Sequence, residues 1–427
     1  MNDYVPGIDP GNEEFPGPFG ATTRFCHPEQ SEGSCARFPA DFGELTPYVY
    51  GSSGNWVLRP PAGLPRGPEP KRLRRPPALA GYFYEPEEEL ACIEHNRRWA
   101  RGEEESLRFL FAYINLPTTC TLRCKGCFQG MDINRQKAVR WTRSWIVDRL
   151  DEILDYLIAH GGHSIAYAGV GELMTDPDAL EFIERVRARG LRFVMFTNGQ
   201  KLATRPDLVR LLDELKVTLI LSFRDTEEWR HDEQTGKRGS FARTVTALSN
   251  CLAGRFRGEN RLAIEMPITK HNRNRTADML VLSRELGIFP FLEALIVLGQ
   301  SPADIAADAL TFDEMDEIFG QLGAVDRKLG FDTRMEWGQR ILGRTACRRP
   351  KFTFTVTENR RLIGCPMNRD DLGESLQDAR VADVVESVTR RAYRQGEQFY
   401  PCSTFVGVRE QAISKRLPVE VAGLLNQ

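Results

Sequence analysis

Cys120-Thr121-Leu122-Arg123-Cys124-Lys125-Gly126-Cys127 carries three thiols separated by three and then two residues. If the backbone turns into a loop, thiols at this spacing converge on one metal centre. They supply three ligands only. A structural zinc site normally closes with four protein ligands, and the next His or Cys along the chain, His160, lies outside the usual spacing. An iron-sulfur cluster tolerates the shortfall, because its fourth iron can be left for a small molecule.

Working outward, Leu107 to Leu116 is an apolar run that reads as a buried strand ending just before the loop. Beyond the loop, strands and helices alternate. Trp145 to Ile158 sets Ile146, Leu150, Ile153, Leu154 and Leu157 on one helical face. Ser164 to Ala168 is a short strand, Asp176-Pro177 reads as the N-cap and first residue of a helix, and Gly190 closes that helix. Leu191 to Phe196 is a strand leading to Thr197-Asn198-Gly199, with a helix from Thr204 to Lys216 after it. Val217 to Phe223, Leu262 to Ile268 and Leu292 to Leu298 add strands, with helices near 240–254 and 274–286. Alternation of this kind predicts an α/β fold with a parallel sheet and helical crossovers.

The C-x3-C-x2-C spacing and the six β/α units together resemble the radical S-adenosylmethionine (radical SAM) superfamily. The resemblance implies an open, partial (β/α)6 TIM-like barrel with functional residues at the C-terminal strand ends. It also implies that Cys120, Cys124 and Cys127 hold a [4Fe-4S] cluster whose free iron chelates SAM, and that a flavodoxin or ferredoxin supplies electrons. The family often has an aromatic residue before the third cysteine. Here Gly126 stands there and Phe128 follows, so Phe128 becomes the expected adenine-side neighbour.

Residues at the strand ends extend the resemblance. Gly169-Val170-Gly171-Glu172 is similar to the family's G-x-G-E element, which receives the SAM amino group; glycine permits close approach there. Asn198 stands where the family has T-N-G, and Ser222 where a serine meets the SAM ribose or carboxylate. Arg224 and Asp225 follow within reach of SAM or substrate, Arg224 taken as a SAM contact and Asp225 as catalytic. Glu265 rests on its own argument: an acid inside a parallel strand is costly unless it faces a polar cavity. It is expected as a barrel-interior catalytic carboxylate, and Glu293 gets a weaker version of the same reading. Cys251 falls on a crossover helix and reads as a packing residue, as does Cys92 in the helix from Glu85 to about Arg101.

The expected organisation is residues 1–105 as an irregular Pro/Gly-rich extension ending in that helix, 106–340 as the barrel, and 341–427 as a small α+β domain. The extension is expected to hold a short hairpin, the solvated basic run Lys71-Arg72-Leu73-Arg74-Arg75, and Cys26 and Cys35, which read as plain thiols, with an adventitious pair or distant cluster ligands as the alternatives. In the C-terminal part, Lys351 to Val356 and Arg360 to Ile363 read as a hairpin around Glu358-Asn359. A helix from Val381 to Tyr393 follows. With Cys347, Cys365 and Cys402, this order resembles the Twitch domain, the short relative of SPASM, and implies an auxiliary [4Fe-4S] cluster.

A chain of 427 residues with a formal net charge of −2 shows no basic excess of the kind that points to nucleic acid. No apolar run approaches a membrane span and no signal pattern opens the chain, so a cytoplasmic protein with no membrane partner is expected. The ten cysteines point to metal rather than disulfides. Oligomeric state is left open. By elimination the expected substrate is a small polar molecule, a sugar or aminocyclitol undergoing epimerisation or oxidation. A peptide maturase and a zinc-binding structural protein are the alternatives.

Overall fold

The computed structural model describes residues 22–24, 37–39, 42–52, 55–116, 118–127, 143–169, 171–295, 307–332, 349–366 and 373–394. Six strands follow one another in chain order across one sheet, each parallel to the next. They are β1 (Phe111–Ile114), β2 (Ser164–Tyr167), β3 (Arg192–Thr197), β4 (Thr218–Ser222), β5 (Leu262–Ile268) and β6 (Phe289–Ala294). Helix α1 (Pro86–Ala100) precedes the sheet. The crossovers are α2 (Arg143–Ala159), α3 (Ala179–Ala188), α4 (Gln200–Thr204), α5 (Pro206–Glu214), α6 (Glu228–Thr235), α7 (Ser240–Leu252) and α8 (Thr276–Glu285). Helix α9 (Phe312–Lys328) follows β6.

The two sheet faces explain the unbroken apolar runs. Successive side chains on a strand point to opposite faces, and both faces here are covered. Ile165, Phe193, Leu219, Ile264 and Leu292 pack outward against Phe182, Ile183, Leu212, Leu248 and Met279 of the helices. Phe111, Tyr113, Ala166, Val194, Ile220, Ala263 and Phe291 form the inner cluster. Burial of each such large side chain contributes roughly 1.5–3 kcal/mol to barrel stability.

The inner cluster is completed from the N-terminal extension. Leu79 and Tyr82 enter it, and Tyr82 packs against Phe111, Phe196 and Phe291, with its hydroxyl 3.1 Å from that of Tyr113. The expected hairpin is present as Val49–Ser52 paired with Asn55–Leu58, and a further antiparallel pair joins Thr22–Arg24 to Arg37–Pro39. The first hairpin docks on α6: Leu58 N donates to Thr226 O, and Trp56 N donates to a Glu228 carboxylate oxygen at 2.9 Å.

Two expectations need correction. Asp176 does not cap α3; its carboxylate accepts from Asp178 N in a local turn, a short 3-10 turn covers Leu173–Thr175, and the helix starts at Ala179. Strand β6 begins at Phe289, not Leu292. Pro290 is tolerated because β6 is the edge strand, where a missing N–H leaves no ladder bond unmade. The expected C-terminal hairpin is present as β7 (Thr353–Val356) and β8 (Arg361–Ile363). β7 pairs parallel with β1, Thr353 opposite Phe111, so the barrel sheet runs on through β8 to β9 (Glu374–Ser375). Helix α10 (Val381–Arg394) covers it with Val381, Val384, Val385 and Val388. Among the described residues no helix is long and apolar enough to cross a membrane.

Candidate functional site

The Cys loop leaves β1 and is tied down on both sides. Arg123 N donates to Thr235 O and Lys125 N to Gln234 O, so the end of α6 holds one side. Glu172 N donates to Thr119 O at 2.8 Å, and Thr175 Oγ1 to the same carbonyl at 3.0 Å, so the segment after β2 holds the other. Gly126 takes φ +74°, which turns the chain back between Cys124 and Cys127. The three thiols act on one another's charge. Without a cation, burial pushes the Cys120 thiol up to about 12 and raises Cys124 as well. Sulfur donors so placed favour the thiolate only when a cation shares the site.

The ends of β2 and β3 close around that loop. Gly171 sits at φ +95°, and a Cβ there would lie 2.5 Å from Thr118 O and 2.6 Å from Thr119 O. A Cβ on Gly169 would lie 2.5 Å from the ring of Tyr167. Both glycines therefore admit backbone or ring atoms of this chain. Glu172 is buried, with Oε1 accepting from Thr197 Oγ1 (2.8 Å) and Oε2 from Asn198 N (2.7 Å). Burial raises its carboxyl, and these donors oppose the rise. Asn198 Nδ2 in turn donates to Cys120 Sγ at 3.6 Å.

Higher in the barrel interior, polar groups replace the aromatics. Ser222 lies opposite Glu265 in the β4–β5 register and donates to its carboxylate. An Arg224 guanidinium nitrogen is 3.9 Å from Glu265 Oε1, and Arg224 also hydrogen-bonds the Cys124 thiol. Glu293 is the next inward position on the neighbouring strand β6, and the two carboxyls act on each other's charge. Arg349 stacks on Tyr82, 4.6 Å from its ring centre, and donates to Tyr113 Oη at 2.7 Å. Ser222, Glu293 and Phe196 are partly exposed, while Val194, Ile220 and Phe291 of the same strands are buried, so solvent reaches this upper layer.

Residues 114–280 match the sequence model of the Radical SAM superfamily. The chain contains a radical SAM domain. The match starts at the last residue of β1 and takes in the Cys loop, β2 to β5 and half of α8. The curated AdoMet-dependent heme synthase of Methanosarcina barkeri (strain Fusaro / DSM 804) is 28% identical over 211 residues, 47% of this chain and 57% of that protein. This chain thus spans little more than half of the curated relative it matches. SuiB of Streptococcus suis, solved bound to S-adenosylmethionine, shares the fold with a TM-score of 0.51 at 14% identity, over 71% of each chain.

The cofactors of a radical SAM domain are a [4Fe-4S] cluster and SAM, and the donor set here fits them. Among the described residues, no three His, Cys, Asp or Glu side chains converge on the position of one metal ion. A cluster asks for less convergence, since each thiolate binds a separate iron.

Sequence reasoning and structure meet unevenly. Cys120, Glu172 and Asn198 come together, as do Ser222, Arg224 and Glu265, with Cys124 joined to the second group through Arg224. Asp225 lies elsewhere: Arg275 binds both its oxygens at 2.6 and 2.7 Å, and Glu227 N also donates to it. Phe128, Cys347 and Cys402 lie outside the described residues, as do Cys26 and Cys35. Cys365 is buried after β8, near enough to Tyr82 and Tyr113 to raise their hydroxyls slightly. Cys251 packs in the outer core, as its helix position predicts, and Cys92 packs in the inner cluster, its thiol against Arg108 O. Tyr82 and Arg349 were missed. The aromatic run Tyr82-Phe83-Tyr84 in a Pro/Gly-rich segment was the available signal for the first; nothing marks the second.

Proposed function

We propose that this chain is a radical SAM enzyme acting on a small, polar, hydroxyl- or amine-bearing substrate held over the upper barrel interior, with epimerisation or oxidation as its outcome. The observation that carries the reading is that the Cys loop and a solvent-reached polar layer are joined by one side chain, Arg224, which touches Cys124 and faces Glu265. The curated relative's AdoMet dependence supports the same chemistry.

A reduced [4Fe-4S] cluster bound at the Cys loop would supply the electron for reductive cleavage of SAM. The chain's own residues do the rest. Cys120, Cys124 and Cys127 hold the cluster, and the Asn198 amide and the Leu122 N–H donate to the Cys120 sulfur, stabilising its charged form. Gly169, Gly171 and Glu172 shape the SAM amino side, Glu172 by fixing the β3 turn against the loop. Ser222 and Arg224 offer polar contacts to SAM, and Glu265 faces the substrate. Tyr82 and the aromatic layer below close the barrel floor, keeping water from the radical's side of the cavity. Cys347, Cys365 and Cys402 are proposed to hold an auxiliary [4Fe-4S] cluster.

Anaerobic reconstitution followed by iron and sulfide analysis tests this, comparing wild type with the Cys120→Ala, Cys124→Ala, Cys127→Ala triple variant. About eight irons falling to about four supports both clusters. About four falling to none removes the auxiliary one. Zinc without iron or sulfide overturns the radical reading.

A further inference from the structure

We propose that Glu265 and Glu293 form one proton-sharing carboxyl pair that binds a hydroxyl or amino group of the substrate, with Glu265 accepting and Glu293 donating. The inference rests on the reading of the upper barrel interior as the substrate side. Its second member is assigned by geometry. Glu265 on β5 lies opposite Phe291 in the sheet register, and Glu293 is the next inward position on β6, one pleat higher. The two carboxyls are neighbours on the inner face of adjacent strands and act on each other's charge. Two buried carboxyls side by side do not both ionise readily, so the pair holds one proton.

The surroundings decide which member holds it. Glu265 receives the Ser222 hydroxyl and faces the Arg224 guanidinium at 3.9 Å, both of which favour its ionised form. On Glu293 burial and the charge of Glu265 act most strongly, and Arg349 and Arg224 oppose them less. Burial raises both carboxyls, and the charge of Glu265 carries Glu293 well above the ordinary range. Among the described residues, the remaining titratable groups coupled to the pair are Tyr82 from the extension, which Glu293 influences, and Cys124 from the loop, which Glu265 influences.

Exposure gives the pair its direction. Glu265 is only 5% exposed, whereas Glu293 is partly open to solvent, two residues beyond a Phe291 that is sealed at 1%. The acid thus stands at the cavity surface with a carboxylate behind it. A neighbouring O–H donor and anionic acceptor complement a carbon-bound hydroxyl or amine, which both gives and takes a hydrogen bond. They do not complement an apolar group.

Infrared difference spectroscopy on the full-length, cluster-reconstituted protein at pH 7 reads the pair directly. Wild type minus Glu293→Gln is expected to show the carbonyl stretch of one protonated carboxylic acid, shifted in D2O. Wild type minus Glu265→Gln is expected to show the same band displaced rather than lost, since buried Glu293 keeps its proton but loses the anion beside it; this second variant serves if the first does not fold. The absence of the band from either difference overturns the pair. Addition of 2-deoxystreptamine, an aminocyclitol with neighbouring hydroxyl and amino groups, is expected to shift the wild-type band, and a band that ignores it overturns the ligand assignment. 5′-Deoxyadenosine formation by the same wild-type sample is measured separately. Its absence would overturn the proposed function while leaving the carboxyl result standing.

Discussion

Replacing Gly171 by alanine is expected to prise the β2 end away from the Cys loop. Two separate costs arise. At φ +95° an L-residue is strained, by about 1–2 kcal/mol if the left-handed penalty is taken as the guide. The new Cβ would also stand 2.5 Å from Thr118 O, 2.6 Å from Thr119 O and 2.7 Å from Thr118 Oγ1. Two of these atoms are backbone, so relief requires loop movement, and overpacking of this kind costs about 1–3 kcal/mol. The sum, about 2–5 kcal/mol, is a large part of ordinary domain stability. Because the first bond in the way is Glu172 N to Thr119 O, the damage should be local. Hydrogen exchange on the full chain should therefore show faster exchange across 118–127 and 171–175, with α7 and α8 unchanged, and urea unfolding should give a lower midpoint. Iron retention after reconstitution should fall with it. Exchange in both segments at the wild-type rate, with the unfolding free energy changed by less than about 0.5 kcal/mol, would refute the close approach of Gly171 to the loop.

Arg275→Ala strips the partner from Asp225, which is 1% exposed, and should lower unfolding stability by about 3–5 kcal/mol in urea; a loss under 1 kcal/mol would mean the pair is not buried in solution. Glu228 is raised to about 7, chiefly by burial, with the Trp56 N–H opposing. The folded state therefore keeps a proton that the unfolded chain releases, so stability falls as pH rises from about 4.5 to about 7 and then levels. Glu228→Gln should remove that slope and gain about 1–3 kcal/mol at pH 8, read by thermal unfolding across pH; an unchanged slope contradicts the shift. Cys124→Ala should lose about four irons per chain and all 5′-deoxyadenosine formation, and retained formation would remove the cysteine assignment.

The Cys spacing was legible because it lies in one short stretch and because a ligand shortfall already separates zinc from a cluster. The parallel strands were legible because burial on both faces leaves continuous apolar runs; β5 was bounded correctly at Leu262–Ile268 for that reason. Pairings across long stretches of chain were not legible. Nothing local says that Thr353 will lie beside Phe111, or that Arg275 will take both oxygens of Asp225. A charged residue after a strand looks the same whether it faces a cavity or a distant arginine. Glu265 was readable only because it lies inside a strand, where an unpartnered acid is costly.

The Gly171-Glu172 step shows why a motif can be found without its physical reason. Glycine at a strand end suggests room for a ligand, yet the space left by the missing Cβ is filled by the carbonyls of Thr118 and Thr119. Glutamate suggests a ligand contact, yet its carboxylate binds Thr197 and Asn198. From there the Asn198 side chain reaches the Cys120 sulfur. The Glu172 N–H meanwhile holds Thr119, one residue before that cysteine. The element thus grips the Cys loop twice, once through backbone and once through Asn198, and its spacing from Cys120 follows from the sheet, which sets β1 and β2 side by side in register. A substitution at Glu172 should accordingly disturb the loop before it disturbs any ligand. Glu172→Ala, which removes both acceptors, should speed exchange at Asn198 and weaken iron retention even when SAM is absent. Unaltered exchange and iron content in that variant would return the glutamate to a purely ligand-facing role.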